Sequence, residues 1–237
     1  MPEFIHLWEN GPLFAQSAHF KLGTDSVLLA DFANLSRARR GIDLGCGSGI
    51  IAMLLLARSE KLNMTGLEIN QDAAELAGKN MAVNSFGGRA EIVAGDIRRH
   101  RELFRTGSFD LAVANPPYFP QKSGALSPES GRAAARGEVE CTLEELCRAA
   151  AFLLKTGGSF CIVHRGERLS ELMCLMSGCG IEPKRLRLVQ HKANSAPSLA
   201  LVEGRRGGSA GLKIEPPLIL ADENGGESEE YRRIYHR

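Results

Sequence analysis

The chain has 237 residues, of which 43% are hydrophobic and 24% are charged, and its formal net charge is +1. These values are average for a folded globular protein, and they exclude collagen-like and intrinsically disordered chains. The longest apolar run, 50–57, has eight residues, far fewer than the roughly 20 that a membrane-spanning helix needs. The N-terminus lacks the basic and apolar regions of a secretion signal. We therefore expect a cytoplasmic protein without membrane association.

The six cysteines lie mostly within apolar segments, and no two of them form a C-x-x-C pair. Such thiols are expected to be reduced and buried. Neither the cysteines nor the six histidines have the spacing of metal ligands. The sequence therefore predicts no structural disulfide and no metal site.

Short β-rich runs alternate with helical stretches through the central part of the chain, which is typical of an α/β fold with a parallel sheet. Strands are predicted at 41–44, 64–69, 90–94, 109–114, 159–164, 185–190 and 199–202. Helices are predicted at 48–59, 71–84, 142–155 and about 167–177. Thr142 and Glu145 form a capping box at the start of the third helix, and two glycines at 157 and 158 are expected to end it.

The predicted organisation is a single domain. An N-terminal segment, 1–40, packs on a core domain, 41–220, and a charged tail covers 221–237. The connection from 120 to 141 is long and rich in Ser, Gly, Pro and Arg. Loops of that length in compact domains are usually functional or disordered.

A glycine-rich turn, Asp43-Leu44-Gly45-Cys46-Gly47-Ser48-Gly49, joins the first predicted strand to the first predicted helix. Glycines permit positive φ there and let a ligand approach the backbone at a helix N-terminus. Glu68 ends the second strand, where an acidic residue of nucleotide-binding sheets holds ribose hydroxyls. A dehydrogenase is the alternative, but its G-x-G-x-x-G fingerprint requires glycine where this chain has Ile50. With Asp96 after the third strand, the pattern favours ligand binding over a simple packing turn.

The fourth predicted strand ends at Asn115-Pro116-Pro117-Tyr118. Consecutive prolines cannot donate to a sheet ladder, so they end the strand. That end lies at the edge where ligands of open α/β sheets bind. A turn alone requires neither Asn before the prolines nor Tyr after them, so we interpret the motif as part of a site.

Together, the glycine-rich turn and the Asn-Pro-Pro-Tyr motif resemble those of class I S-adenosylmethionine (SAM)-dependent methyltransferases, in the branch that methylates planar exocyclic nitrogens. Further segments are similar to the bacterial tRNA1(Val) (adenine(37)-N6)-methyltransferase family. These segments are 20–29, 135–138, 142–144, 201–204, 216–218 and 231–235. The resemblance covers nearly the whole chain, and the N-terminal and C-terminal segments are more specific than the SAM motifs. The acidic stretch 221–229 departs from the family pattern.

The resemblance implies a Rossmann-like sheet, mostly parallel with an antiparallel last strand, and helices on both faces. It implies SAM as cofactor and methyl transfer to N6 of adenine, most specifically adenine-37 in the anticodon loop of tRNA1(Val), with no obligate protein partner. The residues expected at the cofactor are Thr24, Asp25, Asp43, Gly45, Cys46, Gly47, Gly49, Glu68, Ile69, Asp96, Ile97 and Asn115. Glu68 is expected at the ribose, and Asp96 with the Ile97 backbone at the cofactor's adenine. A helix cap is the alternative role of Thr24 and Asp25.

The chemistry of methyl transfer explains why these groups suffice. The sulfonium of SAM loses a neutral thioether when it gives up its methyl group, so the reaction needs neither a general acid nor a metal. The rate is limited instead by the weak nucleophilicity of the acceptor amine. The Asn115 side-chain oxygen and the Pro116 carbonyl can each accept one N–H of the amine, and they bind more strongly as positive charge develops. Tyr118 is expected to stack on the base. The predicted catalytic residues are Asn115, Pro116, Pro117 and Tyr118, and we assign no general base.

Basic residues are concentrated in 184–213, which has seven Lys or Arg and one acid. Phosphate contacts with RNA are predicted for Lys122, Arg132, Arg136, Lys184, Arg185, Lys192, Arg205 and Arg206. A solvated surface is the alternative for each of them taken individually.

Three other functions stay open. A protein glutamine N5-methyltransferase suits the same motif, but such enzymes carry a helical domain before the core, and only 42 residues precede Asp43. A guanine-N2 methyltransferase of ribosomal RNA is expected to have Phe in place of Tyr118. A non-catalytic module that binds SAM or RNA does not require the intact Asn115 and Tyr118.

Overall fold

The computed structural model describes residues 3–16, 22–117 and 141–236. Its strands are β1 Ile5–His6, β2 Leu13–Phe14, β3 Arg40–Leu44, β4 Asn63–Glu68, β5 Ala90–Ala94, β6 Phe109–Ala114, β7 Leu154–Arg165, β8 Ile181–Gln190, β9 Leu199–Arg206, β10 Lys213–Ile214 and β11 Leu218–Ile219. Its helices are α1 Thr24–Phe32, α2 Ile50–Arg58, α3 Gln71–Val83, α4 His100–Leu103, α5 Leu143–Leu153, α6 Leu169–Gly178 and α7 Glu229–Ile234. Short 3-10 turns cover Ile97–Arg99 and Gly166–Arg168. Within these ranges, no helix has the length and apolar character to cross a membrane.

The central sheet has nine strands, in the order β10-β8-β9-β7-β6-β3-β4-β5, with β11 also paired to β8. The strands β3 to β7 pair in parallel, whereas β9 runs antiparallel to both of its neighbours. The predicted α/β architecture is therefore confirmed, including the antiparallel strand near the end of the chain. The order of strands reverses between β3 and β6, and such a reversal opens a crevice at the carboxyl ends of the strands.

Helices cover both faces of the sheet, and each face has its own apolar core. On one face, α1 and α2 pack with α7 over β-strand side chains such as Val113 and Leu201. On the other, α5 and α6 pack over side chains such as Ala112 and Val202. Because adjacent residues of one strand point to opposite faces, both faces of β6 and β9 are buried, as expected for the interior strands of such a sheet.

Helix α2 begins at the end of the glycine-rich turn. Its first seven residues, 50–56, are all apolar and buried, so the helix packs as part of the core rather than as a surface helix. Gly49 precedes it with φ of 83°. A Cβ at Gly49 would lie 2.8 Å from the Met81 side chain and 3.1 Å from Ala77. Only glycine satisfies both the backbone conformation and the close approach of α3.

Helix α5 differs from its prediction at one end. The capping box between Thr142 and Glu145 is confirmed, but the helix ends at Leu153 rather than at the two glycines. Leu154 already pairs with Phe109 of β6, and the register then shifts before Ser159. Glycines 157 and 158 therefore lie in an irregular part of β7, because pairing with β6 stabilises an extended chain there.

The predicted charged tail contains α7, which packs on the core. Ile234 is buried against the α1 and α2 face, and Arg187 of β8 donates to Glu230 at 2.7 and 2.9 Å. The Trp8 and His236 rings stack with centroids 4.1 Å apart. The acidic residue Glu230 therefore neutralises part of the basic segment, and the tail is fastened to both the sheet and the N-terminal hairpin.

Candidate active site

A cavity of about 460 Å³ opens at the carboxyl ends of β3, β4 and β6. Small-molecule sites typically have about 300–1,000 Å³. The predicted residues that line it are Gly45, Cys46, Gly47, Glu68, Ile69, Ile97, Asn115, Pro116 and Pro117. The wall also includes Ser26 of α1, Cys141 just before α5 and Leu146 in the first half of that helix. The fold thus brings the glycine-rich turn and the Asn-Pro-Pro motif to one cavity, although they are about 70 residues apart in the sequence.

Glu68 connects the end of β4 to the glycine-rich turn. One carboxylate oxygen accepts the Gly47 backbone N–H at 2.8 Å, and the other accepts the Asn70 N–H at 2.9 Å. The side chain is 7% exposed, so these bonds hold it in one orientation. A carboxylate oxygen has two acceptor sites, and one on each oxygen remains for a ribose hydroxyl. The geometry of Glu68 is therefore compatible with its predicted role.

Asp43 lies beneath the glycine-rich turn and is fully buried. Burial, with a smaller contribution from the nearby charge of Glu68, raises the pKa of its carboxyl to about 7. Among the described residues, neither of its carboxylate oxygens has a hydrogen-bond partner. A buried and unsatisfied acid of this kind is costly when it is charged. Asp43 does not line the cavity, so the wall groups that fit SAM are the remaining acceptor sites of Glu68 and the backbone of the glycine-rich turn.

Asn115 follows β6 and is held by a residue that the sequence analysis did not assign to the site. Its side-chain nitrogen donates to the Ser26 hydroxyl at 3.0 Å, and Ser26 is 7% exposed. The amide oxygen, the only acceptor on that side chain, is not used by the bond to Ser26. Pro116 is buried and Pro117 is exposed. Tyr118 lies outside the described residues.

Thr24, Asp25 and Asp96 are not among the residues that line the cavity. Thr24 and Asp25 begin α1, but its N-cap is Gly23 and has no side-chain cap. The Asp96 carboxylate accepts from Arg98, with the shortest distance 2.6 Å, and this hydrogen bond holds the Asp96 pKa below its usual value. The predicted contact of Asp96 with the cofactor's adenine stays a prediction.

Cys46 lines the cavity, but its thiol is not a nucleophile. The residue is 5% exposed, and burial raises its pKa well above the usual value. Because the thiolate is the reactive form, this side chain contributes to the wall only. Asp43 and Gly49, which were also predicted at the cofactor, lie behind the wall rather than in it.

The segment 184–213 does not form one basic surface. Arg185 contacts Glu203 and Glu215, and Lys184 donates to the Ser209 carbonyl at 3.0 Å. Arg205 donates to the Gly157 carbonyl at 3.1 Å. Much of the charge predicted for RNA is therefore already used within the fold, most clearly at Arg185, whose acidic partners were not visible from sequence spacing.

Strand direction places Arg205 and Arg206 away from the cavity. Arg205 pairs with Ser159, whereas Ala114, the residue before Asn115, pairs with Ile162. Ser159 and Ile162 are three residues apart on β7, so Arg205 lies about 10 Å along the sheet from the end of β6. Because β9 runs antiparallel to β7, its later residues lie farther from the cavity. Lys192 follows β8 at the edge of the sheet where the parallel strands end. The other predicted RNA-binding residues, Lys122, Arg132 and Arg136, precede this segment and lie outside the described residues.

The fold and the cavity define a class I SAM-dependent methyltransferase. A family model described as "Methyltransferase small domain" matches residues 7–175. The chain belongs to this family.

Similar proteins carry a more specific name. A Porphyromonas gingivalis protein named tRNA1(Val) (adenine(37)-N6)-methyltransferase is 31% identical over 243 residues, which cover 99% of this chain and 94% of that protein. A Bacteroides thetaiotaomicron protein with the same name is 38% identical over 215 residues, which cover 90% of this chain and 88% of that protein. Both relatives therefore match along most of their length.

Solved structures share the fold. A predicted O-methyltransferase from Agrobacterium tumefaciens superposes with a TM-score of 0.73 and 23% identity, covering 90% of this chain and 96% of that one. An O-methyltransferase from neocarzinostatin biosynthesis, solved in complex with SAM, has a TM-score of 0.51 and 17% identity, covering 75% of this chain and 52% of that one. At these identities the likeness concerns the fold alone.

Proposed function

We propose that this protein transfers the methyl group of SAM to the exocyclic N6 amine of adenine-37 in tRNA1(Val). The observation that carries the proposal is the Asn115 side chain, which Ser26 holds at the wall of the cavity that Glu68 and the glycine-rich turn also line. The names of the relatives, which match nearly the whole chain, support the choice of substrate.

The residues of the chain have separate tasks at the cofactor. When bound, SAM supplies an electrophilic methyl group whose leaving group is a neutral thioether. Glu68 accepts hydrogen bonds from the ribose hydroxyls. Holding the donor and the acceptor in line can supply several kcal/mol, with an upper range of about 7–11 kcal/mol.

Asn115 and Pro116 act on the acceptor amine. The amine shares its lone pair with the purine ring, so it is planar and weakly nucleophilic. The Asn115 oxygen and the Pro116 carbonyl each accept one of its N–H groups, and both hydrogen bonds strengthen as the nitrogen becomes positive in the transition state. The proton can then leave to water from the cationic product, so the proposal requires no general base in the protein.

An anticodon-loop adenine suits such a cavity. The base is unpaired in the loop, so moving it into a pocket costs less than opening a duplex. A glutamine amide or a guanine amine has the same pair of N–H groups, and the acceptors alone do not distinguish these substrates. The choice of adenine-37 therefore rests on the relatives and on the family resemblance.

The proposal is tested with purified protein, labelled SAM and total tRNA from a strain that lacks the gene. We expect nucleoside mass spectrometry to find N6-methyladenosine in tRNA1(Val), and a transcript with guanine at position 37 to remain unlabelled. Label in ribosomal RNA or in a protein glutamine, with none in tRNA, would refute the substrate while leaving the methyltransferase chemistry in place.

A further inference from the structure

A second cavity, of about 560 Å³, lies at the opposite end of α5 from the active site. Its wall includes Arg101 of α4, Arg148 and Phe152 of α5, and Arg206 at the end of β9. His100 also contributes, and no acidic side chain is among the described residues that line the cavity. Three guanidinium groups without a carboxylate in the same wall favour an anionic ligand.

The three arginines differ in how firmly the fold holds them. Arg206 donates to the carbonyls of Phe152 and Leu154, so it is part of the framework. The Arg101 guanidinium lies 4.7 Å from the centre of the Phe152 ring. Arg101 is also exposed, and is therefore accessible to a ligand.

Arg148 pairs with Glu144 one turn earlier on α5, and the two side chains are 64% and 49% exposed. Exposed pairs of this kind contribute roughly 0–1 kcal/mol. A phosphate can therefore replace the carboxylate at little cost. Arg148 and Arg101 are thus the two members of the cluster that can bind an anion at the cost of no more than an exposed ion pair and a ring contact.

Helix α5 connects this cavity to the active site. Leu146 lines the active-site cavity, and Phe152 lines the second one. Leu146 and Phe152 are six positions apart, which is about 9 Å along the helix. A second segment also reaches both cavities. Ile97 of the turn Ile97–Arg99 lines the active site, and α4, which carries Arg101, follows that turn directly. The basic cavity and the active-site cavity are therefore walled in part by the same two elements, α5 and the segment from Ile97 through α4.

We propose that Arg101 and Arg148, beside the framework residue Arg206, form a phosphate-binding groove for the backbone of the RNA whose target base occupies the active-site cavity. The proposal rests on the proposed function for the identity of the RNA. Sequence analysis singled out only Arg206 of the three, because Arg101 and Arg148 are far apart in the chain and come together through the packing of α4 against α5.

The test is the double variant Arg101→Glu and Arg148→Glu, compared with Lys61→Glu and Arg232→Glu, which makes the same change of charge at exposed positions elsewhere. Binding of fluorescent tRNA is measured by anisotropy at several KCl concentrations, without SAM. We expect the groove variant to raise the Kd about tenfold or more and to reduce the slope of log Kd against log [KCl] by about 1.4–1.8, for two lost phosphate contacts. The control variant should change the Kd and the salt slope much less.

Two measurements keep the result interpretable. SAM affinity and the thermal midpoint of each variant report folding, and the neutral pair Arg101→Gln and Arg148→Gln replaces the acidic pair if the latter does not fold. Equal Kd and equal salt slope for groove and control variants would overturn the groove, as would absence of tRNA binding by the unmodified protein. Failure of the proposed function has a different signature, in which tRNA binds through the groove but acquires no methyl group.

Discussion

The side-chain amide of Asn115 donates a hydrogen bond of 3.0 Å to the hydroxyl of Ser26, which is 89 residues earlier in the chain. Ser26 belongs to α1, whereas Asn115 follows β6. In this arrangement the Ser26 hydroxyl accepts from the amide nitrogen, so the amide oxygen, which is the acceptor of the side chain, is not the atom bonded to Ser26. An acceptor oriented before the substrate arrives is not reorganised during the reaction, and this preorganisation is a large source of catalytic rate.

Ser26→Ala should lower kcat about tenfold and change the Kd for SAM only a few-fold, because the amide of Asn115 loses its fixed orientation while the cofactor contacts remain. The KM for tRNA should change less than kcat. Ser26→Thr retains the hydroxyl and should recover most of the rate. A purely structural role for Ser26 would instead lower the thermal midpoint and affect kcat, KM and SAM binding together.

Asn115→Ala should abolish most methyl transfer, since the loss of one preorganised group at the site of developing charge typically costs about 10²–10³ in kcat. The affinity for SAM, measured by calorimetry, should stay within a few-fold. Full activity of this variant in single-turnover assays would refute the mechanism that we propose.

Glu68→Ala should weaken SAM binding by about 1–3 kcal/mol, the usual value of hydrogen bonds to a charged group. The substitution also removes the acceptor for the Gly47 and Asn70 N–H groups, so the thermal midpoint without SAM should fall as well. Glu68→Gln, which keeps one acceptor oxygen, serves as the milder control. Unchanged SAM affinity in both variants would show that the ribose is held by other residues.

Asp43 should make stability depend on pH. Its pKa is about 7 in the folded protein against 3.8 for an ordinary Asp, so between these values the folded state binds more protons than the unfolded state. The contribution to stability is complete below pH 3.8 and is lost as the pH rises through 7.

The comparison is with Asp43→Asn, which cannot ionise. Urea unfolding without SAM should show that wild-type stability, relative to that of the variant, falls on the order of 2 kcal/mol between pH 5 and pH 8. A relative stability that is constant or rises over this interval would contradict the raised pKa.

The local parts of the fold were predictable from sequence, and the contacts between distant segments were not. Strands β5 and β6 have the predicted bounds, because β-rich runs are followed by residues that end a strand, most clearly Pro116. The motifs at the ends of β3 and β6 meet because parallel strands share one edge. In contrast, the pairing of Arg185 with Glu203 depends on the register between β8 and β9, which spacing along one segment does not reveal.

The borders of the sheet have a consequence for the behaviour of the protein at high concentration. A free border strand offers unpaired N–H and C=O groups to other molecules, and this promotes aggregation. The ten-residue strand β8 is shielded on its outer side by β10 and β11, which pair with it at Arg185–Leu186 and Val189–Gln190. These two short strands therefore prevent a strand of another molecule from pairing with β8, an effect that is independent of catalysis.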